Sequence, residues 1–306
     1  MGKSIFRILG CGSSTGVPRV GNDWGQCDQR NPKNRRRRTA LLITKHGDNE
    51  RFTRILIDTG PDLREQLLSA CVDRLDAVLY THAHADHTHG INDLRPIALK
   101  HKVRLDLYMD ALTSSRIRKS FYYCFRAQVS PSNHVREALC FGDSVQSSDV
   151  TQVAQDGSIS SLDMAQDDVD YAPIASDHVI KPGDRVTVDG PGGPITAVSF
   201  RQIHGTDTSL GFRFGKVAYA TDVSQMSDET MSLLRGLDVL IIGALRWTPH
   251  LSHFTVDQAL QVIGHLNPKR AILTHMHVDL DYNVLKDYLP DHVEPGYDDM
   301  EFTLDD

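Results

Sequence analysis

The six residues from His82 to His87 have the composition of a metal site. They read His-Ala-His-Ala-Asp-His and place four potential ligands next to one another. Imidazole and carboxylate groups together suit zinc, manganese or iron and are poor ligands for calcium. The run follows a predicted strand that ends at Thr81, and a tight loop there can direct the first two histidines to one side and the Asp-His pair to the other. The pattern predicts a divalent-metal site at the end of a strand.

Three more potential ligands follow apolar, strand-like runs farther along the chain. His204 comes shortly after ITAVSF, Asp222 follows KVAYAT and His275 follows RAILT. Several strand ends can meet at one rim of a sheet, so these side chains can converge on the first group. Seven ligands are too many for one zinc ion and suit two metal ions about 3.5–4 Å apart. We therefore predict two divalent ions and favour zinc or manganese.

Five of the 15 histidines are not expected to take part in this site. A single histidine outside a ligand pattern is usually a surface residue or a hydrogen-bonded core residue. This interpretation applies to five of them: His46, His101, His134, His178 and His292.

The remaining pattern predicts many short strands and several helices. Strands are predicted at Ser4–Leu9, Ala40–Lys45, Arg54–Asp58, Asp76–Thr81, Leu105–Met109, Ile195–Phe200, Leu210–Phe214, Val217–Thr221, Val239–Ile242 and Ala271–Thr274. Helices are predicted at Asp62–Ala70, Asn92–Lys100, Ala111–Lys119, Asp228–Arg235, Thr255–His265 and Tyr282–Leu289. The strands cluster early and alternate with helices later, which favours two packed sheets covered by helices over a doubly wound sheet.

Composition excludes several classes of protein. The 306 residues are 40% hydrophobic and 24% charged, which excludes a disordered, collagen-like or coiled-coil chain. Five widely spaced cysteines without a Cys-x-x-Cys pair argue against a disulfide framework and fit a reducing compartment. The longest apolar run, Val239–Leu245, is far shorter than the roughly 20 residues that span a bilayer. The sequence thus predicts a cytoplasmic protein without a membrane partner.

The negative charge is concentrated in one segment. The net charge is −7, and residues 141–177 contain eight Asp and no Lys or Arg. Because this segment has no clear periodicity, it is interpreted as a mobile insertion in a single domain that spans residues 1–306. The basic run Lys33–Arg38 is interpreted as solvated or ion-paired, since six residues do not make a nucleic-acid surface.

Five motifs together resemble the metallo-β-lactamase superfamily and occur in the family's order: LIDTG (Leu56–Gly60), THAHADHTHG (Thr81–Gly90), the isolated His204, YATD (Tyr219–Asp222) and LTH (Leu273–His275). The resemblance implies an α+β fold, an αββα sandwich of two mixed sheets flanked by helices. It also implies a dinuclear metal site in the groove between the sheet edges.

The resemblance divides the seven ligands into two sets. The first metal ion would be held by His82, His84 and His204, and the second by Asp86, His87 and His275. Asp222 would bridge the two ions. Asp58 resembles the family's acid that supports the histidine loop.

The opening ILGCGSSTGVPR (Ile8–Arg19) and the tail LTHMHVDLDY through EPGYDDMEF look most like the phosphonate-pathway cyclic phosphodiesterase subgroup. This resemblance implies hydrolysis of a small phosphodiester, such as a cyclic ribose phosphate or a nucleotide-like molecule. Two positions depart from the subgroup. Only Cys27 stands where relatives have a Cys-rich structural zinc cluster, so no accessory zinc is expected. His277 lies two rather than three residues after His275, so no metal role is expected for it.

A general acid is expected in the segment Arg246–Thr255, which lies between a predicted strand and a predicted helix and could cover the metals. By resemblance, His253 matches the subgroup's catalytic histidine, and His250 is the alternative. Asp86 is counted as a catalytic residue as well as a metal ligand.

Two other functions stay open. Ribonuclease Z, the tRNA 3′-end endonuclease of the same superfamily, usually has an extended basic arm for tRNA, whereas this chain is net acidic. Extended nucleic acid is therefore not the expected partner. A non-enzymatic protein in which metals only stabilise the fold is disfavoured by the complete ligand set and by His253. Thiolesterase or lactamase activity and a homodimer are also left open, because a fold does not fix function.

Overall fold

The computed structural model of the protein describes residues 3–48, 51–125 and 172–305. These residues form two seven-stranded sheets that pack face to face, with helices on both outer sides. The predicted α+β sandwich of two mixed sheets flanked by helices is confirmed.

The described residues contain fourteen strands. In chain order they are β1 (Lys3–Gly10), β2 (Ala40–His46), β3 (Phe52–Ile57), β4 (Ala77–Leu79), β5 (Leu105–Met109), β6 (Ala175–Val179), β7 (Arg185–Val188), β8 (Ile195–His204), β9 (Asp207–Phe214), β10 (Val217–Ala220), β11 (Val239–Gly243), β12 (Arg270–Thr274), β13 (Val293–Pro295) and β14 (Met300–Asp305).

The same described ranges contain seven α-helices, and the six predicted helices are all among them. They are α1 (Leu63–Ser69), α2 (Ala85–Thr88), α3 (Arg95–His101), α4 (Ala111–Ser120), α5 (Asp228–Leu233), α6 (Val256–Leu266) and α7 (Tyr282–Tyr288). Short 3₁₀ turns lie at Pro32–Asn34, Ile91–Leu94 and Tyr122–Cys124. None of the helices described here has the length and apolar character needed to cross a membrane.

Each sheet is half antiparallel and half parallel. The first has the order β14-β1-β2-β3-β4-β5-β6 and is parallel from β3 to β6. The second has the order β13-β12-β11-β10-β9-β8-β7 and is parallel from β10 to β13. The carboxyl ends of parallel strands meet at one edge, where loops can bring functional side chains together.

The central strands are buried on both faces because each sheet is covered on both sides. In β3, Ile55 and Ile57 pack between the sheets, whereas Leu56 faces the outer layer that contains Leu63 and Ile97. Such two-sided burial produces the continuous apolar runs seen in the sequence. Each fully buried aliphatic side chain contributes about 1.5–3 kcal/mol to stability.

Polar residues fix where the helices begin. Thr255 caps α6 through a reciprocal capping box with Gln258, and Asp110 caps α4 by accepting from the amide of Thr113. These caps explain why the predicted starts of α4 and α6 lie within one residue of the observed ones.

The four strands that the sequence analysis did not predict are the four sheet edges, β14, β6, β13 and β7. Edge strands pair on one side only and are often short or polar, so their pattern is weak. One of these edge strands, β6, corrects the end of the insertion predicted at residues 141–177. Ala175–Val179 forms β6, and Asp177 accepts a hydrogen bond from Ser114, so residues 175–177 belong to the sheet. Residues 141–171 of that insertion lie outside the described ranges.

Candidate metal centre

The His82–His87 run follows β4 and passes into the short helix α2. His84 is the residue before α2, and Asp86 and His87 lie within the helix. The chain after β3 approaches this loop so closely that a Cβ at Gly60 would lie 2.3 Å from the carbonyl oxygen of Asp86. This contact explains why glycine ends the LIDTG motif.

The first ligand set, His82, His84 and His204, comes together at this edge. Nε2 of His82 lies 2.9 Å from Nδ1 of His84, and Nε2 of His204 lies 3.3 Å from the same atom. Nδ1 of His204 donates to the carbonyl oxygen of Ser252 at 2.7 Å, which leaves its Nε2 available as a ligand. His204 is the last residue of β8, whereas the sequence predicted that the strand would end at Phe200.

The second ligand set, Asp86, His87 and His275, lies beside the first. Oδ2 of Asp86 is 3.3 Å from Nε2 of His87, and one ligand atom from each member lies within 4.8 Å of the others. Nδ1 of His87 donates to Asp58 at 2.7 Å, so Nε2 is the ring nitrogen that faces the centre. That Nε2 is buried and lacks a hydrogen-bond partner, which is costly unless a cation completes it.

Asp222 lies between the two sets, and each of its carboxylate oxygens faces a different one. Oδ1 is 3.9 Å from Nε2 of His82 and 3.8 Å from Nε2 of His204. Oδ2 is 3.2 Å from Nε2 of His87 and 3.3 Å from Nδ1 of His275. The donor types, the orphaned Nε2 of His87 and this shared carboxylate fit two divalent ions.

The surroundings lower the pKa of Asp86 and Asp222, which favours their charged form, and lower the pKa of His82 and His275, which favours their neutral form. Burial lowers the pKa of His82 well below its ordinary value, which favours the neutral form that binds metal. Burial opposes ionisation of Asp222, but His275 and His87 hold its pKa well below the usual range. Burial would also lower the pKa of His87, yet the carboxylates of Asp222, Asp86 and Asp58 raise it well above normal. The centre therefore has a negative potential that a cation would neutralise.

Three residues of the centre have a left-handed backbone conformation. The φ angle is 65° at Asp58, 52° at Asp222 and 58° at His275. Each follows a strand, and the turn of the backbone there directs the side chain over the sheet edge. A non-glycine residue in this region costs about 1–3 kcal/mol, and such strain clusters at functional sites.

The fully buried carboxylate of Asp58 orients one histidine of each ligand set. It accepts a hydrogen bond from Nδ1 of His87 at 2.7 Å. It also accepts from the amide and from the hydroxyl of Thr81, both at 2.8 Å. Because the Thr81 hydroxyl donates to Asp58, it accepts from Nδ1 of His82 at 3.0 Å. Asp58 thus fixes which nitrogen of both rings faces the centre.

We expect Asp58→Asn to lower the affinity for both metal ions by about 10- to 100-fold, the usual effect of losing such a partner. An amide places an N–H group where a carboxylate oxygen accepted, so the network that orients His82 and His87 is broken. Competition with a chromophoric chelator measures both affinities. Asp177→Asn, which alters a carboxylate between α4 and β6, is the control. Equal affinities in Asp58→Asn and wild type would contradict the role of Asp58.

The structure separates the two histidines considered as general acid. Nδ1 of His253 lies 3.9 Å from Oδ1 of Asp222, and its ring stacks on that of His275 with centroids 4.8 Å apart. His250 is exposed, and its ring centroid is 5.2 Å from that of His253. His253 therefore lies at the centre and His250 at its rim. A nitrogen of His253 also lies close enough to His204 and Asp222 to serve as a ligand.

The other histidines and Cys27 lie elsewhere. His277 is paired with Asp279 at 3.1 Å. Cys27 is buried and donates to the carbonyl oxygens of Val278 and Leu280. Within the described ranges, no group able to hold a metal includes any of His46, His101, His178, His277 or His292, and His134 lies outside those ranges.

Similar proteins were found by sequence. A family model described as "Beta-lactamase superfamily domain" matches residues 53–161 and 134–276. An octanoyltransferase of Porphyromonas gingivalis is 32% identical over 301 residues, which cover 97% of this chain and 51% of that protein. The chain thus spans about half the length of this curated relative.

Solved structures give the same fold. A diphosphatase from the PhnP family is 28% identical with a TM-score of 0.76, over 99% of this chain and 98% of that one. Zn²⁺-bound PqqB from Methylobacterium extorquens is 16% identical with a TM-score of 0.61, over 98% and 99% of the two chains. The short form of human tRNase Z is 17% identical with a TM-score of 0.54, over 97% and 98%. The last two show the fold alone.

This fold implies binding of divalent metal, and the His and Asp residues of the centre are groups that could hold it. The resemblance that the sequence motifs carried is therefore confirmed, and the chain belongs to the metallo-β-lactamase superfamily.

Proposed function

We propose that this protein hydrolyses a small phosphodiester with the help of two divalent metal ions. The observation that carries the proposal is the position of Asp222, whose two oxygens face different ligand sets. Pairs of metal ions hydrolyse phosphate esters in phosphatases and nucleases. The 28% identity with a diphosphatase over nearly the whole chain also supports a phosphate substrate.

The ligands would have distinct tasks in this reaction. His82, His84 and His204 would hold one ion, and Asp86, His87 and His275 the other. Bound in this way, the ions would lower the pKa of water toward neutrality and polarise the phosphoryl oxygens.

The chain's own residues would fix the geometry and move the proton. Asp222 would set the separation of the two ligand sets, and Asp58 and the carbonyl of Ser252 would keep the rings oriented. His253 lies beside Asp222 with 13% of its side chain exposed, so it can reach a substrate bound at the centre. Burial and the neighbouring His275 lower the pKa of His253 to about 3, so the negative charge of a bound phosphodiester would have to raise that pKa before His253 could donate a proton to the departing alkoxide. General acid catalysis typically contributes roughly 10²- to 10⁴-fold to the rate.

The space beside the first ligand set suits a small substrate. A narrow recess lies next to His82 and His84, and a groove of about 350 Å³ adjoins it, since Asp110, Leu112 and Thr208 line both. Ligand pockets for small molecules have volumes of roughly 300–1,000 Å³. The net charge of −7 also disfavours a long polyanionic partner.

An acyl substrate is the second candidate, because the curated relative is an octanoyltransferase. That name describes a protein about twice as long as the matched region, so its activity can belong to the other half. A metal centre of this kind can also polarise an ester or thioester carbonyl. Hydrolysis of an octanoyl thioester is therefore the outcome that would favour this candidate.

A substrate panel tests the proposal. We expect the protein reconstituted with zinc or manganese to hydrolyse bis(4-nitrophenyl) phosphate and a cyclic nucleotide or cyclic ribose phosphate, and to leave pre-tRNA and octanoyl thioester intact. Elemental analysis should give about two metal ions per chain. Efficient pre-tRNA cleavage without turnover of small diesters would favour ribonuclease Z activity instead. Bound metal without turnover of any substrate would favour the non-enzymatic alternative.

A further inference from the structure

Arg36 is the largest of the fully buried side chains in the described residues, with 2% of its surface exposed. It belongs to the opening segment, residues 11–39. Its guanidinium points into the tail that follows His275, residues 276–282. Nη2 donates to the carbonyl oxygen of Leu280 at 2.7 Å, and Nη1 donates to that of His277 at 3.3 Å. One buried cation thus ties two distant parts of the chain together.

The cost of burying this charge shows that Arg36 does more than fill space. A guanidinium away from water is unfavourable unless hydrogen bonds replace its hydration, and an aliphatic side chain would pack there without that cost. Its three oxygen acceptors are two carbonyls and the side chain of Asn34, none of them a carboxylate. Its Nε has no partner in the described part of the chain. Its contacts with Asn34 and Cys27 lie within the opening segment, and its contacts with the carbonyls of His277 and Leu280 hold the tail.

The tail needs this support because it is irregular and follows a strained residue. His275 has a φ of 58°, and the next amide, of Met276, donates to the carbonyl of Cys11 at 2.9 Å. The hydroxyl of Thr39 lies 3.2 Å from Nδ1 of His275. The opening segment therefore holds the tail at His275 and Met276 and, through Arg36, one turn later.

We propose that Arg36 is a positioning residue for the second ligand set. By holding the carbonyls of His277 and Leu280, it keeps His275 in the left-handed conformation in which its ring faces Asp222. The histidines of the first set follow β4 or end β8, and among the described residues no hydrogen bond joins them to the tail. The inference rests on the proposed function in one respect, because it assumes that the two ligand sets bind metal ions. The effect of Arg36 on the conformation of the tail does not depend on bound metal.

Metal titration of Arg36→Met tests the proposal. Methionine fills a similar volume without charge or donors, so we expect one ion to bind as in wild type and the other at least about tenfold more weakly. The control is Arg54→Met, which removes another largely buried arginine, located on β3 and paired with Asp73. This variant should bind both ions normally. Two ions bound with wild-type affinity, or equal weakening of both, would overturn the proposal.

Hydrogen exchange of metal-free protein gives a readout that does not depend on metal or activity. Amides of residues 275–281 should exchange faster in Arg36→Met than in wild type or Arg54→Met, while β4 stays protected. Unchanged protection of the tail would overturn the proposal even if the protein bound no metal. If Arg36→Met does not fold, the same measurement is made on Arg36→Ala with millimolar guanidinium added, which can occupy the space of the missing side chain. Failure of guanidinium to restore tail protection would then count against Arg36.

These measurements separate this inference from the proposed function. A wild-type protein that binds two ions but hydrolyses no phosphodiester would refute the function and leave the role of Arg36 intact. Normal phosphodiesterase activity in wild type, together with an unaffected tail in Arg36→Met, would support the proposed function and refute the role of Arg36.

Discussion

Asp222→Ala is expected to reduce the metal content from about two ions to one or none, and to lower phosphodiester hydrolysis by about 10³-fold or more. Asp222 is 2% exposed and its two oxygens face both ligand sets, so no neighbouring side chain can replace it. The loss of a shared ligand weakens the stabilisation of transition-state charge by both ions, which is worth several kcal/mol. A change of about 1.4 kcal/mol in the activation free energy changes the rate tenfold. Elemental analysis and steady-state kinetics on the same preparation measure both effects.

Two further variants show whether the effect comes from the bridge or from the backbone. Asp222→Asn keeps the shape and tolerates the φ of 52° while removing the charge, so it should also lose metal. Asp299→Ala changes another aspartate at positive φ, 68°, whose ion pairs are with Arg7 and Arg37. It should keep both ions. Retention of two tightly bound ions in Asp222→Ala would exclude the bridging role.

His253→Ala is expected to affect substrates according to their leaving group. An alkoxide leaves poorly without a proton, whereas a nitrophenolate leaves with little help. Turnover of an alkyl diester should therefore fall by roughly 10²- to 10⁴-fold, the usual contribution of a general acid, and that of an aryl diester much less. The measurement is kcat for a pair of diesters that differ only in the leaving group.

Metal content distinguishes this role from the other position that the geometry allows. As a general acid, His253 can be removed without loss of metal. As a ligand with His204 and Asp222, its loss would lower metal content and slow both diesters equally. His250→Ala is the matched control on the same loop, and we expect it to have little effect. If His250→Ala abolished alkyl turnover while His253→Ala did not, the general acid would be His250.

The sequence by itself determined the candidate ligands and the interior of the fold. The HxHxDH run, Asp222 and His275 could be recognised because each follows a strand whose apolar run is dictated by burial on both faces. The ten predicted strands are the ten interior strands, and the helix starts carry their own capping residues, such as Thr255. These are local signals, set by residues within a few positions of one another.

Only the tertiary structure decided how these residues meet. Which oxygen of Asp222 faces which ligand set depends on the docking of two sheets and on a φ of 52°, and no local pattern predicts either. The same holds for the position of His253, rather than His250, at the centre. It also holds for Arg36, which the sequence placed in a solvated or ion-paired basic run and which the fold buries against residues 277–280. The sheet edges were missed because pairing on one side requires little apolar sequence. The physical reason is common to all: contacts between residues far apart in the chain exist only once the layers have packed.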